Sequence, residues 1–500
     1  MDWLKKIADE IIKRGGKAFV IASGMTTSGP AHLGTLSEFI YPYSIAQELK
    51  KRGYDAEFIF VADIMDAFDD IPLTLKDKAE ELKKYLGKPL AEVPDPYGCH
   101  DSYGEHFLAE FLELMKRFGI EPDEVFKASD LYKEGWYDDY LRLFVERRTE
   151  LKKIMEETAM RKLPEDWWDF VKPICEKCGR IDKTKVKKVE GDKIYYKCEA
   201  CGHEGSIDIS SHRWKLAWRV DWPSRQDFLG VDAEGGGVDH FTKGGSWDTA
   251  REIHKRIFGK EPPVGFRYGF VLMDGKKMSK SKGIGALNEI MALLHPAVIM
   301  YFILKHDIVE NKNFKMNPRF LLQLYEEYRR VALGEDKDPK RVKAWELSGK
   351  KVWKVGFADL LVYYQIYRDW KKVAELVGDV ESIKDLAPYV EEWIKRNFVP
   401  DEYKVEIKQG KVGDPKGCEF LSKLAQLLKE EMSDVEIHNA IYEIARELGL
   451  SPKEAFKYVY RVLLDSDRGP RAGRLIKAIG VKRARDMFLK ACEDEPSKVR

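Results

Sequence analysis

Lys17–Ser23 reads KAFVIAS, Thr27–Thr35 reads TSGPAHLGT and Glu57–Ala62 reads EFIFVA, and the fold follows from these three runs in that order. A short apolar run such as the first suits a strand buried on both faces of a parallel sheet. After the Gly/Ser/Thr-rich loop, Leu36, Phe39, Ile40 and Tyr43 recur at helical spacing until Gly53, and the second apolar run follows. Strand, glycine-containing loop, helix and strand open a doubly wound α/β domain of the nucleotide-binding kind. Within the loop, Gly29, Pro30 and Gly34 let backbone amides approach phosphates at the positive end of the next helix. His32 adds a side chain that can donate to an oxygen as charge builds on it. Taken alone, the loop reads almost as well as a tight turn with a surface histidine.

Working outward, the alternation lapses. From about Thr74 to Ile207 the pattern predicts mostly helices, including Tyr103–Phe118 and Trp136–Arg161. Strand, loop, helix and strand return from about Leu216 to Asp274, so one sheet is interrupted by a large insertion. Beyond Ala286 the pattern is helical to the end. Asn317-Pro318, Ser433-x-x-Glu436 and Ser451-Pro452-x-Glu454 are helix starts, each with an oxygen-bearing cap.

Five hundred residues are too many for one core, and three to five structural units are expected. The N-terminus reads as an amphipathic helix without an apolar signal core, and no stretch approaches the ~18 apolar residues of a membrane span. A cytoplasmic protein with no membrane partner is expected. Lys and Arg number 86 against 85 Asp and Glu, so no global field announces nucleic acid, and any such contact must come from local basic patches. One lies at Arg461–Arg485, with Arg468, Arg471, Arg474, Lys482, Arg483 and Arg485, although an ordinary charged helix surface reads equally well.

Four of the seven cysteines form two knuckles, CEKCGR with Cys175 and Cys178 and CEACGH with Cys198 and Cys201. Nineteen residues separate the pairs, with the alternation of a Lys-rich hairpin between them. Four thiolates at this spacing predict a closed tetrahedral zinc site of structural type. A second set, Asp95, Cys99, His100 and His106, falls in PDPYGCHDSYGEH and offers mixed ligands for a possible second zinc. Against it, Asp95 reads also as a turn cap and Cys99 as a small hydrophobe. Cys418 and Cys492 stand alone, and no disulfide framework is expected.

Asp274–Gly285 reads DGKKMSKSKGIG. Lys277-Met278-Ser279-Lys280-Ser281, bracketed by Gly275 and Gly283, makes a loop that can close over a triphosphate and stabilise departing pyrophosphate. By composition alone a solvated basic turn would read better. Together, PAHLGT and KMSKS, in this order near the two ends of a split α/β domain, resemble the HIGH and KMSKS signatures of class I aminoacyl-tRNA synthetases. Thr35 departs from the second histidine of most families. Threonine can bond a phosphate but cannot carry a proton's charge. The resemblance implies ATP bound by Gly29, Pro30, His32, Gly34, Thr35, Lys277, Met278, Ser279, Lys280 and Ser281, with Mg2+ accompanying ATP. His32, Lys277 and Lys280 act on the charge that develops.

Further along, Gly24-Met25-Thr26, Leu216–Pro223 (LAWRVDWP), Gly237–His240 (GVDH), Gly265–Gly269 (GFRYG) and Gly469–Gly473 (GPRAG) look like the class I lysyl-tRNA synthetase family found mainly in archaea, over nearly the whole chain. That resemblance implies L-lysine and tRNA(Lys) as substrates, and a lysine and adenylate site lined by Gly24, Thr26, Trp218, His240 and Tyr268. An ammonium wants a carboxylate and an aromatic face. Asp63, Asp66 and Asp221 are the candidates for charge, with Trp218 and Tyr268 for the walls, though core packing explains such aromatics too. Glutamyl-tRNA synthetase is the rival, in which Arg219 or Arg267 would meet a substrate carboxylate. An adenylyltransferase acting without tRNA and a non-catalytic tRNA-binding relative are the other readings. The expected architecture is an α/β Rossmann-like catalytic domain with a zinc-binding insertion, followed by an all-α C-terminal anticodon-binding domain. The catalytic domain spans 1–73 and 208–285, around an insertion at 74–207 with its zinc ribbon at about 173–205. A helical stem-contact segment at 286–345 and a helical anticodon-binding domain at 346–500 follow.

Overall fold

The computed structural model describes residues 2–278 and 286–493. It divides into two compact units. One holds Met1–Ile290, Met300–Phe314 and Glu346–Gly349; the other holds Met291–Ile299, Lys315–Trp345 and Lys350–Arg500.

The first unit is built on a five-stranded sheet. Its order is Val264–Tyr268, Ala233–Gly237, Ala18–Met25, Asp55–Ala62, Glu124–Lys127, and every neighbouring pair is parallel. Ala18–Met25 is the central strand because Phe19, Ile21 and Ala22 are buried together with Phe58, Phe60 and Val61 of its neighbour. From this strand the chain winds first one way, through Asp55–Ala62 to Glu124–Lys127, and then the other. The order therefore reverses between Ala18–Met25 and Ala233–Gly237. Ligands of open α/β sheets bind at such a reversal, beyond the carboxyl ends of the strands.

Three features differ from the sequence expectation. The 74–207 stretch is not mostly helical throughout, because Glu124–Lys127 joins the main sheet as its edge strand. Four residues with two charged ends carry no apolar run to reveal it. The helix expected over Trp136–Arg161 is two helices, Asp138–Glu146 and Arg148–Ala159, broken where Arg147 leaves helical geometry at φ −97° and ψ 24°. A three-residue strand, Lys312–Phe314, interrupts the otherwise helical region beyond Ala286 and pairs in parallel with Val271–Met273. The glycine-rich strand Ala233–Gly237 also follows from packing, since the Phe266 ring of the neighbouring strand occupies the space a side chain at Gly235 would need.

The cysteine knuckles lie on a three-stranded antiparallel sheet, Thr184–Glu190, Lys193–Cys198 and Glu204–Asp208. The second unit is helical. Helix Pro318–Ala332 begins with the Asn317 side chain accepting from the Phe320 amide, and Asp434–Glu447 and Pro452–Leu464 each begin with a reciprocal Ser–Glu capping box. Cys418 and Cys492, expected to stand alone, form a disulfide with their Cα atoms 5.7 Å apart. They are 74 residues apart in sequence. Only the packing of helix Pro415–Leu427 on helix Val481–Lys490, invisible to spacing rules, brings them to bonding distance. Among the described residues no single helix is long and apolar enough to cross a membrane.

Candidate active site

A cavity of about 420 Å³ opens at the sheet's reversal point, lined by Gly24, Met25, Thr26, Ser28, Glu38, Asp63, Asp66, Trp218 and His240. Gly24 and Met25 end the central strand, Thr26 follows it, and Asp63 follows the next one. Trp218 begins helix Trp218–Phe228, and His240 lies in the short helix after Gly237. Glycine is required at 24, where a Cβ would stand 2.5 Å from the Arg225 guanidinium and 3.3 Å from the Val61 carbonyl oxygen.

The electrostatics are those of a carboxylate-rich cluster around two fixed cations. Arg225, fully buried, is paired with Asp63 and lies 3.8 Å from Asp221 and 4.0 Å from Glu234. Lys215, also buried, lies 3.0 Å from Asp66 and 3.5 Å from Asp221. Burial pulls the Lys215 pKa down, but Asp66, Asp221 and Asp63 outweigh it and hold the ammonium above its ordinary value. Burial pushes Asp63 up to about 6, against the pull of Arg225. Asp221 is enclosed as well, accepting from the hydroxyls of Tyr132 and Tyr137, the latter at 3.0 Å. Its side chain is 1% exposed, and it does not line the cavity. Asp66 does line it, accepts from Thr26 Oγ1 at 2.6 Å and is 31% exposed.

Two lining residues escaped the sequence reading. Glu38, in the first turn of helix Ser37–Lys51, stands against the Tyr268 phenol, and Ser23 Oγ donates to it at 3.3 Å. Burial, and then the Glu38 charge, raise the Tyr268 pKa. Tyr268 itself is buried behind this wall, stacked on Tyr41 at 5.5 Å. Ser28 is the other. Outside the lining, Ser246 ties two lining side chains together: its Oγ is 2.8 Å from His240 Nδ1 and accepts from Trp218 Nε1 at 3.3 Å. Burial lowers the His240 pKa, so the imidazole is neutral near pH 7. Trp218 stacks on Trp222 at 5.2 Å and packs 4.9 Å from the Arg225 guanidinium. Of the arginines that would mark the rival reading, Arg219 donates to the carbonyls of Gly244 and Gly245 and to Thr249 Oγ1, and Arg267 faces outward on its strand.

The loop 27–35 is tied down from both sides. Thr27 Oγ1 donates to the Gly104 carbonyl and Tyr103 Oη to the Ser28 carbonyl, both at 2.8 Å, which fixes the loop to helix Tyr103–Arg117. A Cβ on Gly29 would stand 2.8 Å from the Pro72 ring, and one on Gly34 would stand 2.9 Å from the His32 ring. The imidazole thus lies over Gly34. The His32 amide donates to Thr35 Oγ1 at 2.9 Å, and the Thr35 amide donates back to the His32 carbonyl. Threonine at 35 closes the turn that presents His32.

The KMSKS stretch approaches from the other edge. Lys277 closes a two-residue strand against Val271–Met273, with its Nζ 3.2 Å from Asp239 Oδ2 and 4.0 Å from the centre of the Phe270 ring. Met278 is buried. Ser279, Lys280 and Ser281 lie outside the described residues. The chain re-emerges at Ala286, which forms an antiparallel bridge with His32. Lys277 therefore lies against Asp239, the neighbour of His240 in the chain, and Ala286 lies on the TSGPAHLGT loop.

Both metal-ligand sets are assembled. The sulfurs of Cys175, Cys178, Cys198 and Cys201 lie within 4.8 Å of one another, with Cys175–Cys201 and Cys178–Cys198 at 3.6 Å. A ZnS4 tetrahedron with bonds of ~2.3 Å has edges of about 3.8 Å, so the set fits. In the second set, Cys99 Sγ is 3.3 Å from Asp95 Oδ2, 3.1 Å from His100 Nδ1 and 3.3 Å from His106 Nδ1. Asp95 Oδ2 to His106 Nδ1 is 3.2 Å. The last approaches the roughly 3.4 Å edge between nitrogen and oxygen ligands of zinc, and the three to sulfur are a few tenths of an ångström inside the roughly 3.6 Å edge a thiolate gives. His106 Nε2 faces Glu110 at 3.7 Å, where an outer carboxylate would stand if this imidazole held a metal. Asp95 also accepts from the amides of Tyr97, Cys99 and His100, so it shapes the turn that gathers the ligands.

Comparison with known proteins agrees with this arrangement. Residues 1–355 match the family described as tRNA synthetases class I (K). The chain is 35% identical to a lysine–tRNA ligase of Archaeoglobus fulgidus, over 97% of this chain and 99% of that protein. It is 34% identical to one of Pyrococcus horikoshii, over 95% and 97%, and 32% identical to one of Methanosarcina barkeri, over 99% and 98%. Parallel sheet, reversal-point cavity and both signature loops thus stand in a chain that belongs to the class I (K) tRNA synthetase family.

Proposed function

We propose that this chain is a lysine–tRNA ligase that activates L-lysine with ATP and transfers it to the terminal ribose of tRNA(Lys). One observation carries the choice of amino acid. The cavity is bordered by Glu38, Asp63 and Asp66, while the two buried cations nearby, Lys215 and Arg225, are already engaged by carboxylates. Such a site attracts a cation and repels a glutamate side chain. With Asp63 held by Arg225 and Asp221 enclosed by tyrosines, Glu38 and Asp66 are the carboxylates placed to receive the ammonium. Trp218 supplies the aromatic wall.

The lysine carboxylate attacks the α-phosphate of ATP in line, forming lysyl-adenylate and releasing pyrophosphate. A ribose hydroxyl of tRNA then attacks the adenylate carbonyl, forming the ester and releasing AMP. Residues 27–35 hold the triphosphate through backbone amides, His32 donates to its oxygens, and Lys277 with Lys280 draws the leaving pyrophosphate. Positioning and charge supply the rate. Mg2+ arriving with ATP neutralises phosphate charge. Zinc at Cys175, Cys178, Cys198 and Cys201, and again at Asp95, Cys99, His100 and His106, fixes the insertion. Residues 286–345 contact the tRNA stem and 346–500 the anticodon, and the enzyme works in the cytoplasm.

ATP–pyrophosphate exchange across the twenty amino acids, with unfractionated tRNA present, tests this. Lysine-dependent exchange is expected. Glutamate-dependent exchange would establish the rival, and no exchange with retained tRNA binding would leave a binding module.

A further inference from the structure

Helix Ser246–Ile253 begins at Gly245 without a side-chain cap, so the Ser246 hydroxyl is not spent on the first amides of its own helix. Ser246 is buried and does not line the cavity, yet its hydroxyl meets two side chains that do. Backbone geometry holds it there. The Gly245 amide donates to the Thr242 carbonyl at 2.8 Å, and Arg219 donates to the carbonyls of Gly244 and Gly245 at 2.6 and 3.1 Å. A Cβ on Gly245 would stand 2.4 Å from the His240 carbonyl oxygen. The helix start is therefore seated directly against the short helix that carries His240.

The direction of the two hydrogen bonds at Ser246 Oγ follows from what each partner can do. Trp218 Nε1 carries a proton and no free lone pair, so the hydroxyl oxygen accepts from it at 3.3 Å. His240 Nδ1 lies 2.8 Å from the same oxygen. Burial lowers the His240 pKa, so near pH 7 the ring is neutral and only one of its nitrogens bears a proton. Were that nitrogen Nδ1, the Ser246 hydroxyl proton would be buried without an acceptor, since among the described residues the oxygen has no other partner. The hydroxyl therefore donates to Nδ1, and the ring proton sits on Nε2. The opposite edge of the ring agrees. Cδ2 lies over Gly236, 3.4 Å from where a Cβ would stand there, so the carbon edge meets glycine and the nitrogen edge meets the hydroxyl.

Nε2 is then the nitrogen left for a ligand, and it is a donor. Glu38, Asp63 and Asp66 already border the cavity with acceptors, which suit an ammonium. An oxygen of an adenylate needs the opposite partner, and the other tautomer would turn a lone pair toward it. His240 also stands where phosphate is expected, since Asp239, its neighbour in the chain, lies 3.2 Å from Lys277 of the KMSKS stretch. We propose that Ser246 is a positioning residue for the activation step, holding His240 as the tautomer that donates from Nε2 to an oxygen of the forming lysyl-adenylate. This rests on the reading of the chain as a lysine–tRNA ligase and adds the residue that sets the polarity of one group in its site.

The first measurement is nitrogen NMR of the full-length protein, labelled with nitrogen-15 at its ten histidines, with His240→Ala identifying the His240 signals. Without substrates and near neutral pH, wild type is expected to show an unprotonated Nδ1 and a protonated Nε2 at His240. Ser246→Ala should lose that bias, leaving the two tautomers averaged. ATP–pyrophosphate exchange is the second measurement. Ser246→Ala should lower kcat roughly 10-fold, with the KM for lysine within about threefold, because the imidazole stays while its donor is no longer fixed. In the His240→Ala background, removing the hydroxyl should cost nothing further, since the two side chains act as one unit. A protonated Nδ1 in wild type would overturn the proposal, and so would losses that multiply in the double variant. If wild type shows the protonated Nε2 but exchanges no lysine, the enzymatic reading fails and the Ser246–His240 assignment stands. Lysine-dependent exchange with a protonated Nδ1 sinks this inference alone.

Discussion

Replacing Glu38 by glutamine removes one charge from the proposed ammonium site while keeping its shape. Glutamine still reaches Ser23 Oγ, so the wall of the cavity is preserved. At a separation of about 4 Å and an effective dielectric near 20, the lost Coulomb attraction would approach ~4 kcal/mol. Glu38 is only partly buried and a bound ammonium would have shed water to reach it, so the net loss is smaller. A hydrogen bond to a charged group typically contributes about 1.5–3 kcal/mol. Asp66, held by Thr26 and Lys215, remains and keeps the cavity negative. A value near ~2 kcal/mol is therefore expected, or roughly a 30-fold rise in the KM for lysine. ATP–pyrophosphate exchange measures it, with the KM for ATP as an internal control that should not move. Discrimination against norleucine, which has the lysine carbon chain without its ammonium group, should narrow by a similar factor. A lysine KM within about threefold of wild type, with norleucine still rejected, would show that the ammonium sits elsewhere and refute the assignment of Glu38.

Four further outcomes follow from the same geometry. Elemental analysis of purified protein should find two zinc ions per chain; Cys178→Ser should lose one and Cys99→Ala the other, and an unchanged count in either variant would remove that site. Thr35→Val, which deletes the acceptor of the His32 amide, should lower the exchange rate roughly 3- to 10-fold, from a hydrogen bond of about 0.5–1.5 kcal/mol, whereas Thr35→Ser should stay near wild type. Asp63→Asn should destabilise the fold by roughly 3–5 kcal/mol, because Arg225 is left buried without its close partner; a melting temperature equal to wild type would contradict the buried pair. His254 is buried against Gln226 with its pKa lowered to about 4. The unfolded chain binds a proton on this residue near 6.5, so stability present above that pH is lost as pH falls toward 4, by up to about 3 kcal/mol. Asp63, raised to about 6, acts in the opposite direction over the same window. The melting temperature of His254→Gln relative to wild type should therefore climb on acidification from pH 6.5 to 4.5, and a constant difference would rule His254 out as the cause.

The fold was legible where periodicity and burial coincide. Ala18–Met25 and Asp55–Ala62 are apolar because both sheet faces are covered, and the helix starts at Asn317, Ser433 and Ser451 were visible because caps use a few side chains with short-range geometry. Glu124–Lys127 and Lys312–Phe314 were not, since three or four residues at a sheet edge need only backbone partners. Cys418 and Cys492 were read as isolated for a related reason, as their contact exists only through two packed helices. Within the site, residues belonging to motifs were legible and residues that serve them were not. His32, Trp218 and Lys277 lie in recognisable strings. Glu38, Ser246 and Arg225 contribute through contacts with residues 6 to 162 positions away, for which no sequence motif exists.

The same distinction explains why the charge reading of the cavity needed structure. Three aspartates stood out in the sequence as equal partners for an ammonium. They became unequal once their cations were located, because a buried carboxylate already paired with a guanidinium has little attraction left to offer a ligand, and breaking that pair is costly. Asp63 and Asp221 are spent on Arg225, Lys215 and the two tyrosines, which makes them the rigid floor of the site. Selectivity then falls to the carboxylates that remain partly exposed, Glu38 and Asp66. A buried floor of matched charges with a partly exposed rim, where Asp66 meets water as well as Lys215, binds a cation without collapsing around it when empty. That division of labour predicts opposite phenotypes for neighbouring acids: loss of folding at Asp63, and loss of lysine affinity with folding intact at Glu38. Equal phenotypes at the two positions would mean that floor and rim are not separate.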